Sequence, residues 1–253
     1  MTLGHDSGQT GPVSQRAVFD GFHAWKHASR FQFPLEESWT DDPEGLRSLV
    51  DQLAPDLSSW VETVRVVSSA TLAARCHELG LRAVHHTRVV GLGEVPLSPA
   101  DLFLSSHRAQ LSTVPAVLVD GARHPGNLGA VVRVAAAVGC PAVFSLGGVD
   151  PWLPEVIRAA AGLHSAVPVV KVDSVDRIEG EIVVLHADGG VIGAVELSPG
   201  SVLAVGAERH GVSAAVSDRA STVVALPMTH GVSSLNLATS VAAALYVHIS
   251  RGN

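Results

Sequence analysis

The 253-residue chain is poor in cysteine, lysine and charged residues in general. Its two cysteines, Cys76 and Cys140, are too few for a disulfide framework or a four-thiolate zinc site, and they favour a reducing compartment such as the cytoplasm. Acidic residues outnumber lysine and arginine by 24 to 17, which gives a net charge of -7. A protein with this charge has no overall attraction for nucleic acid, so any contact with RNA has to be local.

Long uninterrupted apolar segments are also missing. The longest apolar stretch, residues 130–149, contains Arg133 and Pro141 and falls short of a continuous span of about 20 residues, so no membrane-crossing helix is predicted. Residues 1–15 lack the apolar region of a secretory signal and are predicted to be a flexible tail. Apolar residues still make up 47% of the chain, which is enough for a sizeable core.

Two regions with different patterns are separated by a segment rich in proline and serine. Residues 16–97 mix helical and alternating apolar spacing, as expected of a small α/β domain. Residues 98–113 are predicted to be a linker. In residues 114–253, apolar strands alternate with helices, which predicts a mostly parallel sheet covered on both faces.

Three glycine-rich polar loops follow predicted strands in the second region, where ligands bind to open parallel sheets. They span residues 120–133, 205–211 and 226–236. Gly126 and Gly129 would let the first loop approach a ligand closely, although such a turn is commonly only a turn. Arg133 lies among valines in a predicted helix, where an arginine must be paired or face a cleft.

Each of these loops also permits a structural interpretation. Glu208 could form a surface ion pair with Arg209, and Asn236 could serve only as a helix cap. One histidine falls in each loop, namely His124, His210 and His230. Imidazole is a common metal ligand, but no two of these histidines have HxxxH spacing, and no metal is expected.

Taken together, the loops resemble the three signature motifs of the SpoU-type RNA 2′-O-ribose methyltransferases of the SPOUT superfamily. HPGNLGAVVRVAAAVG resembles the first motif, an asparagine followed six residues later by an arginine. LAVGAERHGVS resembles the second, glycine-x-glutamate, and LPMTHGVSSLNLATSVAAAL resembles the third, proline-methionine then serine-leucine-asparagine. The resemblance covers about residues 114–253.

The resemblance implies a C-terminal trefoil knot, a homodimer with active sites at its interface, and S-adenosyl-L-methionine as methyl donor. It implies a catalytic polar centre of Asn127, Arg133, Glu208, Ser234 and Asn236. It also implies donor-binding residues at Val205, Gly206, Leu226, Met228, Ser234 and Leu235. Whether Arg133 acts as a base or orients the hydroxyl stays open, because arginine is almost always protonated.

The N-terminal segment FDGFHAWKHASRF resembles the opening of the small ribosomal-protein-like domain that often precedes this methyltransferase domain. Its cationic residues His23, Lys26, His27 and Arg30 have i, i+3, i+4, i+7 spacing, so one helical face can present them to RNA phosphates. A solvated helix face is the alternative. The acidic stretch 36–44 is predicted to begin as a loop that points away from RNA.

The predicted function is therefore S-adenosyl-L-methionine-dependent methylation of a ribose 2′-hydroxyl in RNA by a cytoplasmic enzyme. Ribosomal RNA is the first choice of substrate and transfer RNA the second. A non-catalytic RNA-binding protein of the same fold remains an alternative. A dehydrogenase-like nucleotide enzyme is disfavoured because GxGxxG and the ribose-binding acid are missing.

Overall fold

A computed structural model of the chain describes residues 15–96, 112–207 and 211–252. The predicted tail and linker fall almost wholly on residues 1–14 and 97–111, which lie outside this description. The N-terminal unit contains a four-stranded sheet in the order β1-β4-β2-β3. Its strands are β1 (Arg16–Asp20), β2 (Leu35–Thr40), β3 (Arg65–Val66) and β4 (Val89–Glu94). Strand β4 pairs antiparallel with β1 and β2, whereas β3 pairs parallel with β2.

The helices of this unit begin where local sequence signals favour it. They are α1 (Phe22–Arg30), α2 (Pro43–Leu53), α3 (Ser58–Val61) and α4 (Ser69–Glu78). Asp42 caps α2 by accepting a hydrogen bond from the Gly45 N–H at 2.9 Å, and Ser68 caps α4 in the same way. Helix α1 buries Phe22 and Trp25 on the sheet side, which leaves its other face free to carry the predicted cations.

The acidic stretch at residues 36–44 does not begin as a loop, so that prediction was wrong. Its first half lies in β2, where side chains alternate between the two faces of the sheet. Glu36 pairs with Arg16 at 2.5 Å and Glu37 with Arg65 at 3.3 Å. Arg65 lies on the neighbouring strand β3 and Arg16 two strands away on β1, and both ion pairs compensate carboxylates that would otherwise disfavour a strand.

The C-terminal unit contains a six-stranded sheet in the order β10-β8-β9-β5-β6-β7. Its strands are β5 (Ala116–Asp120), β6 (Val143–Leu146), β7 (Val169–Val172), β8 (Ile182–Val191), β9 (Val202–Gly206) and β10 (Ala220–Ala225). All neighbouring pairs run parallel. Its helices are α5 (Pro125–Val138), α6 (Pro154–Ala159), α7 (Ala214–Asp218) and α8 (Leu237–Gly252). The predicted α/β fold with a mostly parallel sheet is confirmed.

Apolar side chains cover both faces of this sheet, as its valine-rich strands require. Helix α5 packs on α6 through Gly129, where an added Cβ would lie 2.5 Å from the Cβ of Ala159 and 2.6 Å from the Val156 carbonyl oxygen. Gly129 therefore serves helix packing. A Cβ on Gly126 would meet nothing within 4 Å.

Both cysteines are free thiols in the core. Cys76 packs in the cluster of Trp39 and Leu72, and burial raises the pKa of Cys140 to about 12. Each thiol therefore acts as a small apolar side chain.

Among the helices of the described ranges, none combines the length and apolar character needed to cross a bilayer.

The two units pack against each other along α1. The backbone of Ala24 lies so close to Gly162 that an added Cβ there would come within 2.4 Å of the Ala24 carbonyl oxygen. The Nδ1–H of His27 donates to the Ala161 carbonyl at 2.6 Å. Arg158 on α6 donates to the buried carboxylate of Asp20 at 2.8 Å. The first two contacts fix α1 against the turn that follows α6, and the third joins β1 to α6 itself.

His164 in that same turn makes folding sensitive to pH. It is 4% exposed, its Nε2–H donates to the Pro151 carbonyl at 2.8 Å, and its Nδ1 has no partner among the described residues. Burial lowers the pKa of His164 to about 4, from an ordinary value of 6.5. The unfolded chain therefore takes up a proton at this residue, and the folded protein does not, as the pH falls from 6.5 towards 4.

We expect this difference to remove about 3 kcal/mol of stability between pH 7 and pH 4. Urea unfolding of the unchanged protein and of His164→Gln at pH 7.5, 6.0 and 5.0 isolates the contribution, because other titrating groups are common to both. The unchanged protein should lose more stability than the variant as the pH falls. Parallel losses in the two proteins would show that His164 does not carry this pH dependence.

Candidate active site

The six predicted donor-binding residues line one cavity of about 400 Å³. They are Val205, Gly206, Leu226, Met228, Ser234 and Leu235. The cavity lies at the carboxyl ends of β9 and β10, strands that flank β8 on either side. These residues lie together because the strands are parallel, so the loops that follow them emerge at the same edge of the sheet.

Strand β8 supplies part of the wall that the sequence did not reveal. Leu185, His186 and Ala187 line the cavity. They belong to an excursion in β8, because pairing with β10 passes from Val184 directly to Gly190 and skips the residues between them. The adjacent glycines at 189 and 190 were the available signal, since a glycine pair inside a strand often marks an irregularity.

Gly206 closes one side of the cavity through backbone contact. An added Cβ at this position would lie 1.8 Å from the carbonyl carbon of Gly211 and 2.2 Å from the Val212 nitrogen. The chain therefore folds back onto the end of β9, where Ala207 and Gly211 form a short bridge. Only glycine fits at Gly206. The predicted catalytic residue Glu208 falls in residues 208–210, outside the described residues.

Asn236 connects the first and third loops. Its Nδ2 donates to Oδ1 of Asn127 at 3.1 Å. Its Oδ1 accepts from the backbone N–H groups of Ala238 at 3.0 Å and Thr239 at 3.4 Å, which caps α8. Asn236 is thus a cap and also a link to Asn127. Asn236 lies between Leu235 and Leu237, two residues of the cavity wall, and its hydrogen bond places Asn127 next to it.

Arg133 lies apart from this group. It is exposed on α5, about 9 Å further along the helix axis than Asn127, and it is not among the residues of the cavity wall. It has no hydrogen-bond or ion-pair partner among the described residues. Its positive charge acts instead on α1: burial lowers the pKa of His23 and of Lys26, and the nearby Arg133 lowers both further.

The four predicted RNA-binding cations of α1 divide into two pairs. His27 is bound to the Ala161 carbonyl, and Arg30 forms a bidentate ion pair with Asp56 at 2.8 and 2.6 Å. His23 is exposed and Lys26 half-exposed, and neither forms an ion pair among the described residues. The spacing along α1 was sufficient to place these residues on one face, but not to show which of them had partners inside the protein.

No set of three histidine, cysteine or acidic side chains converges as metal ligands within the described ranges. His124 and His230 lie in loops of this edge, and His210 lies in residues 208–210, outside the description.

Comparison with known proteins identifies relatives of this chain. The SpoU rRNA Methylase family model matches residues 115–246, just over half of the chain. The chain is 33% identical to the 23S rRNA (guanosine(2553)-2′-O)-methyltransferase of Bacillus subtilis over 54% of its own length and 57% of that protein. It is 28% identical to the 23S rRNA (uridine(2479)-2′-O)-methyltransferase of Streptomyces viridochromogenes over 84% of its length and 77% of that protein.

A solved structure shows the same fold over nearly the whole chain. The crystal structure of the SpoU methyltransferase AviRb from Streptomyces viridochromogenes, in complex with the cofactor AdoMet, has a TM-score of 0.72 and 21% identity, covering 94% of this chain and 90% of that one. The chain spans 57% of the Bacillus relative and 17% of a mouse mitochondrial relative, less than two thirds of each. Because the family model matches more than half of its residues, the chain belongs to the SpoU rRNA methylase family.

Proposed function

We propose that the protein transfers the methyl group of S-adenosyl-L-methionine to a ribose 2′-hydroxyl of ribosomal RNA. The observation that carries the proposal is the convergence of the six predicted donor-binding residues on one cavity beside the Asn127–Asn236 pair. The names of the Bacillus and Streptomyces relatives, both 23S rRNA 2′-O-methyltransferases, support the same reaction and substrate class.

The cavity suits a donor that is held mainly by the backbone. More than half of its lining residues are glycine, alanine or leucine, and the absence of a Cβ at Gly206 allows the backbone of Gly211 and Val212 to pack closely at the cavity rim. Leu226 and Leu235 would enclose the adenosyl group and exclude water. When bound, S-adenosyl-L-methionine supplies an electrophilic methyl group on a sulfonium. Ser234 would help to orient the methyl group and the ribose 2′-hydroxyl towards each other.

A ribose 2′-hydroxyl is a poor nucleophile at neutral pH, so it has to be polarised and aligned with the methyl group. Asn127 and Asn236, fixed to each other at 3.1 Å, would position the ribose. Arg133 would polarise the hydroxyl or hold the phosphate next to it, because a guanidinium is a strong hydrogen-bond donor to anionic oxygens. Glu208 is proposed to complete the polar centre.

We further propose a homodimer with active sites at the interface. The support is the position of Arg133, which lies outside the cavity wall of its own chain and so is available to the cavity of a second copy. The trefoil knot of residues 114–253 is proposed from the motif resemblance. Residues 16–97 are proposed to form the RNA-recognition domain and 98–113 its linker, in a cytoplasmic protein.

Donor binding separates this function from its alternatives. Calorimetric titration of the purified protein with S-adenosyl-L-methionine should show saturable binding, and titration with a nicotinamide dinucleotide should show none. A non-catalytic RNA-binding protein would bind RNA but no donor. Activity on transfer RNA, with none on ribosomal RNA, would move the proposal to the second substrate.

A further inference from the structure

Side chains that are cationic or can become so come close together where α1 packs against the C-terminal unit. His23 and Lys26 come from α1, His86 from the segment before β4, and Arg133 from α5. Burial lowers the pKa of His23, and the nearby Lys26, Arg133 and His86 lower it further. Arg133 also contributes to the lowered pKa of Lys26, after burial and Arg30. Three separate segments of the chain therefore contribute to one surface.

The packing of the two units explains this convergence. Helices α1 and α5 both contact the same short turn, Leu163–Ser165, which brings the two helices near each other. The ring of His85 packs against Gly21 at the start of α1, where an added Cβ would approach it to 2.7 Å. His86 stacks beside His85, with ring centroids 4.1 Å apart. The histidine pair is thus fixed at the same end of α1 as His23.

The positive charge of this surface is not balanced within the described protein. Its neighbouring carboxylates are already paired: Asp56 accepts two hydrogen bonds from Arg30, and Asp20, whose side chain is 1% exposed, accepts one from Arg158. No carboxylate among the described residues forms an ion pair with His23, Lys26, His86 or Arg133. Bringing the cations Lys26 and Arg133 close together is unfavourable unless an anion binds between them, and it is conspicuous in a chain of net charge -7.

We propose that His23, Lys26, His86 and Arg133 form one phosphate-binding surface, on which the RNA backbone passes from the N-terminal unit to the methyl-transfer site. The inference rests on the proposed function and deepens it. Lys26 would supply a point charge to a phosphate oxygen, the histidines N–H donors, and Arg133 a bidentate contact. Arg30 and His27, which have partners inside the protein, are not part of the surface.

A purely structural role is the competing explanation for Lys26, because its Nζ lies 5.8 Å from the centroid of the Phe22 ring. The two roles predict different results. Lys26→Arg keeps the charge and should keep full RNA affinity, whereas Lys26→Gln keeps much of the side-chain stem and should bind RNA more weakly.

The test measures binding of unmethylated 23S ribosomal RNA, transcribed in vitro, to the full chain at several salt concentrations. Lys26→Gln should weaken binding about fivefold to tenfold and lower the slope of log Kd against log salt by roughly 0.7–0.9, the loss of one phosphate contact. His86→Gln should weaken binding by about twofold or more. The matched control is Arg47→Gln on α2, a 54% exposed cation paired with Glu62, and it should change neither quantity.

Thermal unfolding and donor calorimetry on each variant confirm that the fold and the donor cavity are intact. Unchanged affinity and salt slope in Lys26→Gln and His86→Gln, with normal RNA methylation by the unchanged protein, would overturn this surface and leave the proposed function standing. An equal loss in Arg47→Gln would also overturn it. Absence of methylation by the unchanged protein, with the variant effects on RNA binding still present, would overturn the proposed function alone.

Discussion

Arg133→Ala should lower kcat/KM for methyl transfer to RNA about 10³-fold, equivalent to about 4 kcal/mol of transition-state stabilisation. The reason is that the guanidinium is the fixed cation that can polarise the 2′-hydroxyl or hold its neighbouring phosphate. The fold should be unaffected, because Arg133 is exposed on α5 and forms no ion pair among the described residues. Donor affinity should also be unchanged, because Arg133 does not line the cavity.

The measurement is single-turnover transfer of labelled methyl to ribosomal RNA at saturating donor, with calorimetry and thermal unfolding on the same preparation. Arg47→Ala serves as the control for loss of one exposed arginine, and it should transfer at the normal rate. Full activity in Arg133→Ala would remove this residue from the reaction. Loss of donor binding would instead place it at the cavity.

Gly206→Ala should abolish donor binding, with a loss of affinity of at least about 100-fold. A Cβ at this position would lie 1.8 Å from the carbonyl carbon of Gly211, so the backbone at the cavity rim has to move. Such overpacking also costs about 1–3 kcal/mol of stability. Calorimetric titration with S-adenosyl-L-methionine measures the first effect and urea unfolding the second.

The control for Gly206→Ala is Gly193→Ala, in the turn after β8, where an added Cβ meets only side-chain atoms at 3.7 and 3.8 Å. This variant should bind donor normally. Normal donor binding by Gly206→Ala would show that the donor is not held at the end of β9, and the cavity would lose its assignment.

Mixing the two inactive variants tests where Arg133 acts. If Arg133 of one copy serves the cavity of the other, a heterodimer of Arg133→Ala and Gly206→Ala contains one complete site, from the cavity of the first variant and the arginine of the second. Refolding an equal mixture should then restore part of the activity. If Arg133 serves its own chain, or if the protein is monomeric, the mixture stays inactive.

Much of the fold was accessible from the sequence because its strands are buried on both faces. Such strands are continuous apolar runs, and the glycine-rich loops between strands and helices show where each element ends. The acidic residues of β2 concealed a strand, because their cross-strand partners Arg16 and Arg65 are distant in sequence. Local patterns do not contain such pairings.

The six donor-binding residues were implied by the motif resemblance, and the structure places them around one cavity because their loops lie at one edge of a parallel sheet. The wall contributed by Leu185 and His186 was not predictable, because it depends on a break in the pairing of β8 with β10. Nor did the spacing along α1 show that Asp56 binds Arg30 or that Arg133 is near enough to lower the pKa of Lys26. Contacts between units depend on how the units pack, which is a tertiary property.

The most direct test of the proposed function is transfer of labelled methyl from S-adenosyl-L-methionine to unmethylated ribosomal RNA, followed by nuclease digestion and identification of the product. We predict a single 2′-O-methylated nucleotide, dependent on donor and absent with Arg133→Ala. A methylated base, or binding of donor and RNA without any transfer, would contradict the assignment of this protein as a ribose methyltransferase of ribosomal RNA.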